Sequence, residues 1–150
     1  MRMVYRVLAY LVVLGVVVQA MSMVYAVAGL GKWIDKGGVL DKAVMESDAS
    51  PFPEVAGFAI HGINGMMIMP IIALLLLIIS FFARVPGGIA WAGLVLLLVA
   101  IQITLGLAGH SIPFLGALHG LNALLLLGAS LNAARLAGTR TGQHVAPATA

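Results

Sequence analysis

Apolar residues run through this 150-residue chain in four long blocks separated by short polar stretches. Each block reaches the roughly 20 residues that a helix rising about 1.5 Å per residue needs to cross a hydrocarbon core. The pattern predicts membrane helices over residues 4–29, 55–83, 88–109 and 113–134. Pro70 falls inside the second, where a membrane helix accepts proline if neighbours or a local kink satisfy the freed carbonyl. Residues 30–54 form a longer polar loop, in which 39–45 is expected to make a short surface helix pressing Leu40 and Val44 into the bundle. The stretch 138–150 is small and polar without a period, and is expected to be a disordered tail. The fold class is therefore all-α: one domain, residues 1–137, built as an integral membrane four-helix bundle.

Composition strengthens this reading. Hydrophobic residues make up 62% and charged residues 9% of the chain, far from the soluble average of about 25% charged. The net charge of +3 is scattered, so no nucleic-acid partner is implied. Cysteine is absent, which removes disulfides, thiolate metal sites and iron–sulfur clusters. Arg2 and Arg6 before the first block give it the look of a secretory signal, with 18–20 loosely resembling a cleavage site. The apolar run is longer than the about 7–15 residues of a signal's core, so retention as a membrane helix is expected.

Arg2, Arg6, Arg84, Arg135 and Arg140 all fall on one side of an even number of spans. By the positive-inside rule that side is cytoplasmic, with both termini, and the loop 30–54 is external. Trp33, Phe52, Phe58 and Phe114 are expected to flank the outer interface, and Tyr5, Phe81, Phe82 and Trp91 the inner one.

Two stretches repeat. Ala59-Ile60-His61-Gly62-Ile63-Asn64-Gly65 is matched by Ala117-Leu118-His119-Gly120-Leu121-Asn122-Ala123, at a constant offset of 119 − 61 = 58 that continues downstream, setting Gly128 opposite Pro70. The first and third spans match only weakly, but each carries a single intramembrane glutamine, Gln19 and Gln102. The pattern reads as two duplicated helical hairpins. Spans two and four run in the same direction, and each histidine lies six residues into its span, roughly 9 Å below the helix start. The two imidazoles are therefore expected at one level of the outer leaflet.

Polar groups inside lipid are costly and usually face a partner in the bundle interior. Two neutral imidazoles meeting there are able to hold one iron from opposite faces of a porphyrin, with ligating nitrogens about 4 Å apart. Gly62 and Gly65 in one helix, with Gly116 and Gly120 in the other, offer surfaces without side chains where a flat macrocycle would pack. Asn64, Asn122, Gln19 and Gln102 are candidates to orient the imidazole Nδ1 protons or to contact the macrocycle. The plainer reading is packing: glycine, asparagine and histidine commonly lock membrane helices together, and Gly116-x-x-x-Gly120 is a common contact motif. Met21, Met23, Met66, Met67 and Met69 would suit Cu(I), but leucine occupies the repeat-related positions of the last three. Zinc would want three or four protein ligands. His110 has no partner under the repeat and reads as a solvated loop histidine, and His144 lies in the tail.

On these motifs the chain resembles an uncharacterised family of small bacterial four-helix membrane proteins. That family has a glutamine in span one, a histidine near the start of span two and a Leu-His-Gly-Leu-Asn-type motif in span four, and the match runs to about residue 137. The chain is more distantly similar to one four-helix half of haem A synthase, whose ligand histidines come from the second and fourth helices of the half, the places of His61 and His119. Departures are plain: one half is present, Gly62 stands where that family typically has arginine, and Glu54 lies seven residues before His61 rather than close to it. The resemblance implies a haem-binding scaffold in a bacterial cell membrane more than haem-modifying chemistry. The expected function is electron transfer by a b-type cytochrome-like protein holding haem b between His61 and His119, with the lipid bilayer and a quinone or extracytoplasmic redox partner as its surroundings. The alternatives are a cofactor-free scaffold or assembly subunit, and a small transporter, which would need a polar pathway through both leaflets.

Overall fold

The computed structural model describes residues 1–47 and 49–138. Among them the chain is helical throughout its ordered elements: α1 (Arg2–Asp35), α2 (Lys42–Glu46), α3 (Pro53–Ala83), α4 (Gly88–Gly109) and α5 (Pro113–Gly138). All but α2 are long and apolar enough to cross a membrane. The helices α1 and α5 extend past the expected spans, and the expected tail from 139 onward lies outside the described residues, as does His144.

Local chemistry sets the helix ends. Gly37, at φ +91, closes α1, with Gly37 N–H bonding Ile34 O at 2.9 Å and Gly38 N–H bonding Trp33 O at 3.0 Å. This is the Schellman arrangement, which spends two otherwise orphaned carbonyls. Asp41 caps α2 by accepting from Val44 N–H at 2.9 Å. That cap starts the short helix later than the pattern suggests and leaves Leu40 in the approach to it, 45% exposed instead of pressed into the bundle. Pro53 opens α3 and Pro113 opens α5, where a missing N–H is harmless. Arg84 in the left-handed region and Gly87 at φ +70 turn the chain from α3 into α4.

The four long helices form a ring of neighbours: α1 packs on α3 and α5, and α4 packs on the same two. Helices α1 and α4 are one diagonal pair, α3 and α5 the other. An apolar core fills the half nearest the termini. It is built from Tyr5, Ala9 and Val12 of α1, Met69, Ala73 and Leu76 of α3, Ala92 and Val95 of α4, and Leu126, Ala129 and Ala133 of α5. Tyr5, expected among the interface aromatics, is wholly buried, and its hydroxyl donates to Gly88 O at 2.9 Å. Large apolar side chains elsewhere face outward on every long helix, among them Leu14, Ile71, Phe81, Leu97 and Leu124. An outward apolar surface of that extent suits lipid and not water.

Burial repeats between the hairpins. Tyr5, Ala9, Val12 and Gly15 in α1 are buried, as are Gly88, Ala92, Val95 and Leu98, each 83 residues on, in α4. In α3 and α5 the offset of 58 holds for Asn64 and Asn122, but most buried positions beyond them follow another offset. Buried Met69, Ala73, Leu76 and Ser80 match buried Leu126, Ser130, Ala133 and Ala137, an offset of 126 − 69 = 57. The missing residue is taken up by a π turn over Asn64–Ile68, where Met69 N–H reaches back to Asn64 O. A π turn inserts one residue into an α-helix. It sits just ahead of Pro70, which has no N–H to offer the preceding turn. The sequence correspondence of Gly128 with Pro70 is therefore displaced by one position in the packed structure.

Candidate functional site

The apolar core stops at the level of Met69 and Leu126. Above it, toward the loop that joins α1 to α3, the positions turned inward are polar or small: Gln19, His61 and Asn64 on the first hairpin, Gln102, Gly106, His119 and Asn122 on the second. The outer segment of α3, Ala56–Ile63, packs on α1 and makes no extended contact with α4. Trp33 and Phe52 stack with ring centres 5.7 Å apart at the far end.

His61 and His119 come from the diagonal helices and meet across this space. Their ring centres are 6.1 Å apart and their planes are tilted by 49°. Each is half-buried. His61 Nδ1 lies 3.2 Å from Gln19 O, and His119 Nδ1 lies 2.9 Å from Gln102 O. A carbonyl oxygen only accepts, so each neutral ring carries its proton on Nδ1 and keeps the Nε2 lone pair for another bond. Histidines that bind metals characteristically donate the second ring N–H to a backbone carbonyl or carboxylate in this way. The glutamines thus orient the rings through their main-chain carbonyls, whereas their amides were the expected partners.

Asn64 Nδ2 donates to Gly15 O at 3.0 Å, and Asn122 Nδ2 donates to Leu98 O at 2.9 Å. Gly15 and Leu98 lie one turn before Gln19 and Gln102, so each hairpin repeats the same pair of bonds: histidine to the glutamine carbonyl, asparagine to the carbonyl four residues earlier. The hairpins part company at the glutamine side chains. Gln102 Nε2 donates to His119 O at 3.0 Å, while its Oε1 accepts from Asn122 at 2.6 Å. Gln19 Oε1 is buried with no hydrogen-bond partner among the described residues, and a Cβ at Gly65 would stand 2.5 Å from Gln19 Nε2.

The glycines divide in the same way. A Cβ on Gly106 would lie 3.0 Å from His119 Nδ1, so the absent side chain lets that ring lie against α4. Gly106 is one turn beyond Gln102 on the same face, a spacing from which its part was readable in the sequence. Gly116 meets the backbone of Gly109, where α4 and α5 touch, and so serves helix contact. Gly62 and Gly120, each next to a histidine, have nothing within 4 Å of where a Cβ would be. His110 is exposed, with Nδ1 3.2 Å from Gly106 O.

The donor set constrains what the histidines can hold. Among the described residues no group of three or more histidine, cysteine, aspartate or glutamate side chains converges. A zinc site made of protein ligands alone would need such a group. Two imidazoles suit a metal whose other ligands arrive with it, as a porphyrin supplies four nitrogens. A metal–imidazole bond of about 2 Å, with roughly 1.1 Å from nitrogen to ring centre, separates two axial ring centres by about 6 Å. The observed 6.1 Å between ring centres lies near that spacing. No protein-family model matches the chain, and no curated protein or solved structure matches it either.

Proposed function

We propose that the chain is an integral membrane protein made of two duplicated hairpins, and that it binds one haem b between His61 and His119 for electron transfer. The observation that carries this reading is the imidazole pair, 6.1 Å between centres, with both Nδ1 protons engaged by carbonyls. Haem held by His61 and His119 would supply a one-electron iron couple, suited to electron transfer. The Nδ1–H···O bonds hold the rings in orientation and make Nε2 more basic. The polar interior between Gln19 and His119 lies beside the apolar core, so the site is kept within a low-dielectric bundle. With the arginine-bearing end in the cytoplasm of a bacterial cell, the pair lies in the outer leaflet, within reach of a quinone or an extracytoplasmic redox protein.

The second reading is a cofactor-free scaffold or assembly subunit. It draws on the bonds from Asn64 and Asn122 and the Gly109–Gly116 contact, all of which lock helices without any ligand. Absorbance separates the two. Protein expressed with supplementary haem and purified in mild detergent is expected to show a b-type spectrum, oxidised and reduced, that is altered in both His61→Ala and His119→Ala. A colourless wild type supports the scaffold, and an unchanged six-coordinate spectrum in His119→Ala removes that residue from the pair.

A further inference from the structure

We propose that the two histidines are unequal. His119 is the anchoring ligand, and His61 is the exchangeable one, giving way to a small uncharged molecule that offers a lone pair, of the class of carbon monoxide or free imidazole. The inference rests on the haem reading and adds to it a ligand-binding function on the α3 side of the site.

The two rings share their burial and their kind of carbonyl partner but differ in how firmly each is held. The His119 ring lies against Gly106, its Nδ1 bond is the shorter at 2.9 Å, and its own carbonyl is held by Gln102 Nε2. Gln102 is in turn held by Asn122, so His119 sits in a closed set of bonds between α4 and α5. His61 has a 3.2 Å bond to Gln19 O, and among the described residues no side chain secures its carbonyl in the corresponding way, because the Gln19 amide faces Gly65. The buried Gln19 Oε1 has its hydrogen-bonding capacity unspent. A group of this kind is stabilised by any N–H or O–H brought near it.

His61 also sits beyond a break in its helix. The segment Ala56–Ile63 packs on α1, and it joins the fixed core through the π turn Asn64–Ile68. A π turn departs from the regular α-helical ladder, and such turns often mark functional positions. Beside it a groove of about 460 Å³ runs between α1 and α3, bordered by Gly15, Val18, Ile60, Ile63 and Ile68. On the other side, α5 is continuous α-helix through His119 and Asn122. Exchange is a dative step: the His61 Nε2 pair withdraws and the pair on the incoming ligand replaces it, with no electron or proton transferred.

The test uses the full chain in detergent. Haem content and spectra are recorded for wild type, His61→Gly and His119→Gly, with and without imidazole, and the reduced wild type is exposed to carbon monoxide. His61→Gly is expected to keep its haem and regain a six-coordinate spectrum with imidazole, and the reduced wild type to take up carbon monoxide. His119→Gly is expected to lose haem by about tenfold or more, the scale on which support of a metal ligand matters. Equal losses in both variants, or loss confined to His61→Gly, overturn the inequality. Hydrogen exchange on the haem-free chain reads the helix break alone: residues 56–68 should exchange about tenfold faster than 114–126, since local opening follows weak packing. Equal exchange overturns the role of the break. A wild type that never takes up haem defeats the haem reading, and with it the ligand exchange.

Discussion

Asn64 and Asn122 occupy matching places in the two hairpins yet carry different hydrogen-bond loads, and replacing each with leucine measures the difference. Leucine keeps the branched outline of asparagine and removes the amide, and its added bulk enters both buried sites alike, so the difference between the two variants carries the test. Asn122 gives up two bonds, to Leu98 O at 2.9 Å and Gln102 Oε1 at 2.6 Å, whereas Asn64 gives up one, to Gly15 O at 3.0 Å. Hydrogen bonds between membrane helices are worth about 0.6 kcal/mol on average and about 1.7 at most. Asn64→Leu should therefore destabilise by about 0.6 kcal/mol and Asn122→Leu by about 1–2, with Gln102 Oε1 left unpaired in addition. The assay is equilibrium unfolding in mixed micelles titrated with a denaturing detergent, followed by circular dichroism. Adding Gln102→Leu to Asn122→Leu should cost less than the two single effects together, because they share a bond. Equal destabilisation at the two asparagines, or strict additivity with Gln102, would refute the unequal bonding.

The same titration checks three further expectations. Gly57→Ala drives a Cβ into Ser22 O on the α1 backbone and should destabilise by about 1–3 kcal/mol, as overpacking does, while Gly62→Ala meets nothing and should be neutral or stabilising. Tyr5→Phe removes a buried bond to Gly88 O and should cost about 1 kcal/mol; no change would mean the hydroxyl is satisfied elsewhere. The Lys32–Glu54 pair, 3.3 Å apart with Lys32 62% exposed, should contribute little, so Lys32→Met should be mild and its effect should vanish at high salt.

Four long helices and the equal depth of two histidines were legible in the chain because apolar length and residue counting act locally, at a fixed rise per residue. The repeated His-x-x-Asn likewise marked which polar groups belong together. Sequence did not determine where the repeat breaks. The residue absorbed at Asn64–Ile68 leaves the order of amino acids unchanged, and only the buried faces of α3 and α5 reveal it. Nor could it distinguish a glutamine carbonyl from a glutamine amide as the partner of each imidazole, since both belong to one residue. Pairing α1 with α3 and α5, and α4 with the same two, set His61 and His119 on a diagonal and turned them toward each other. That arrangement depends on contacts between segments far apart in the chain, which no local pattern encodes.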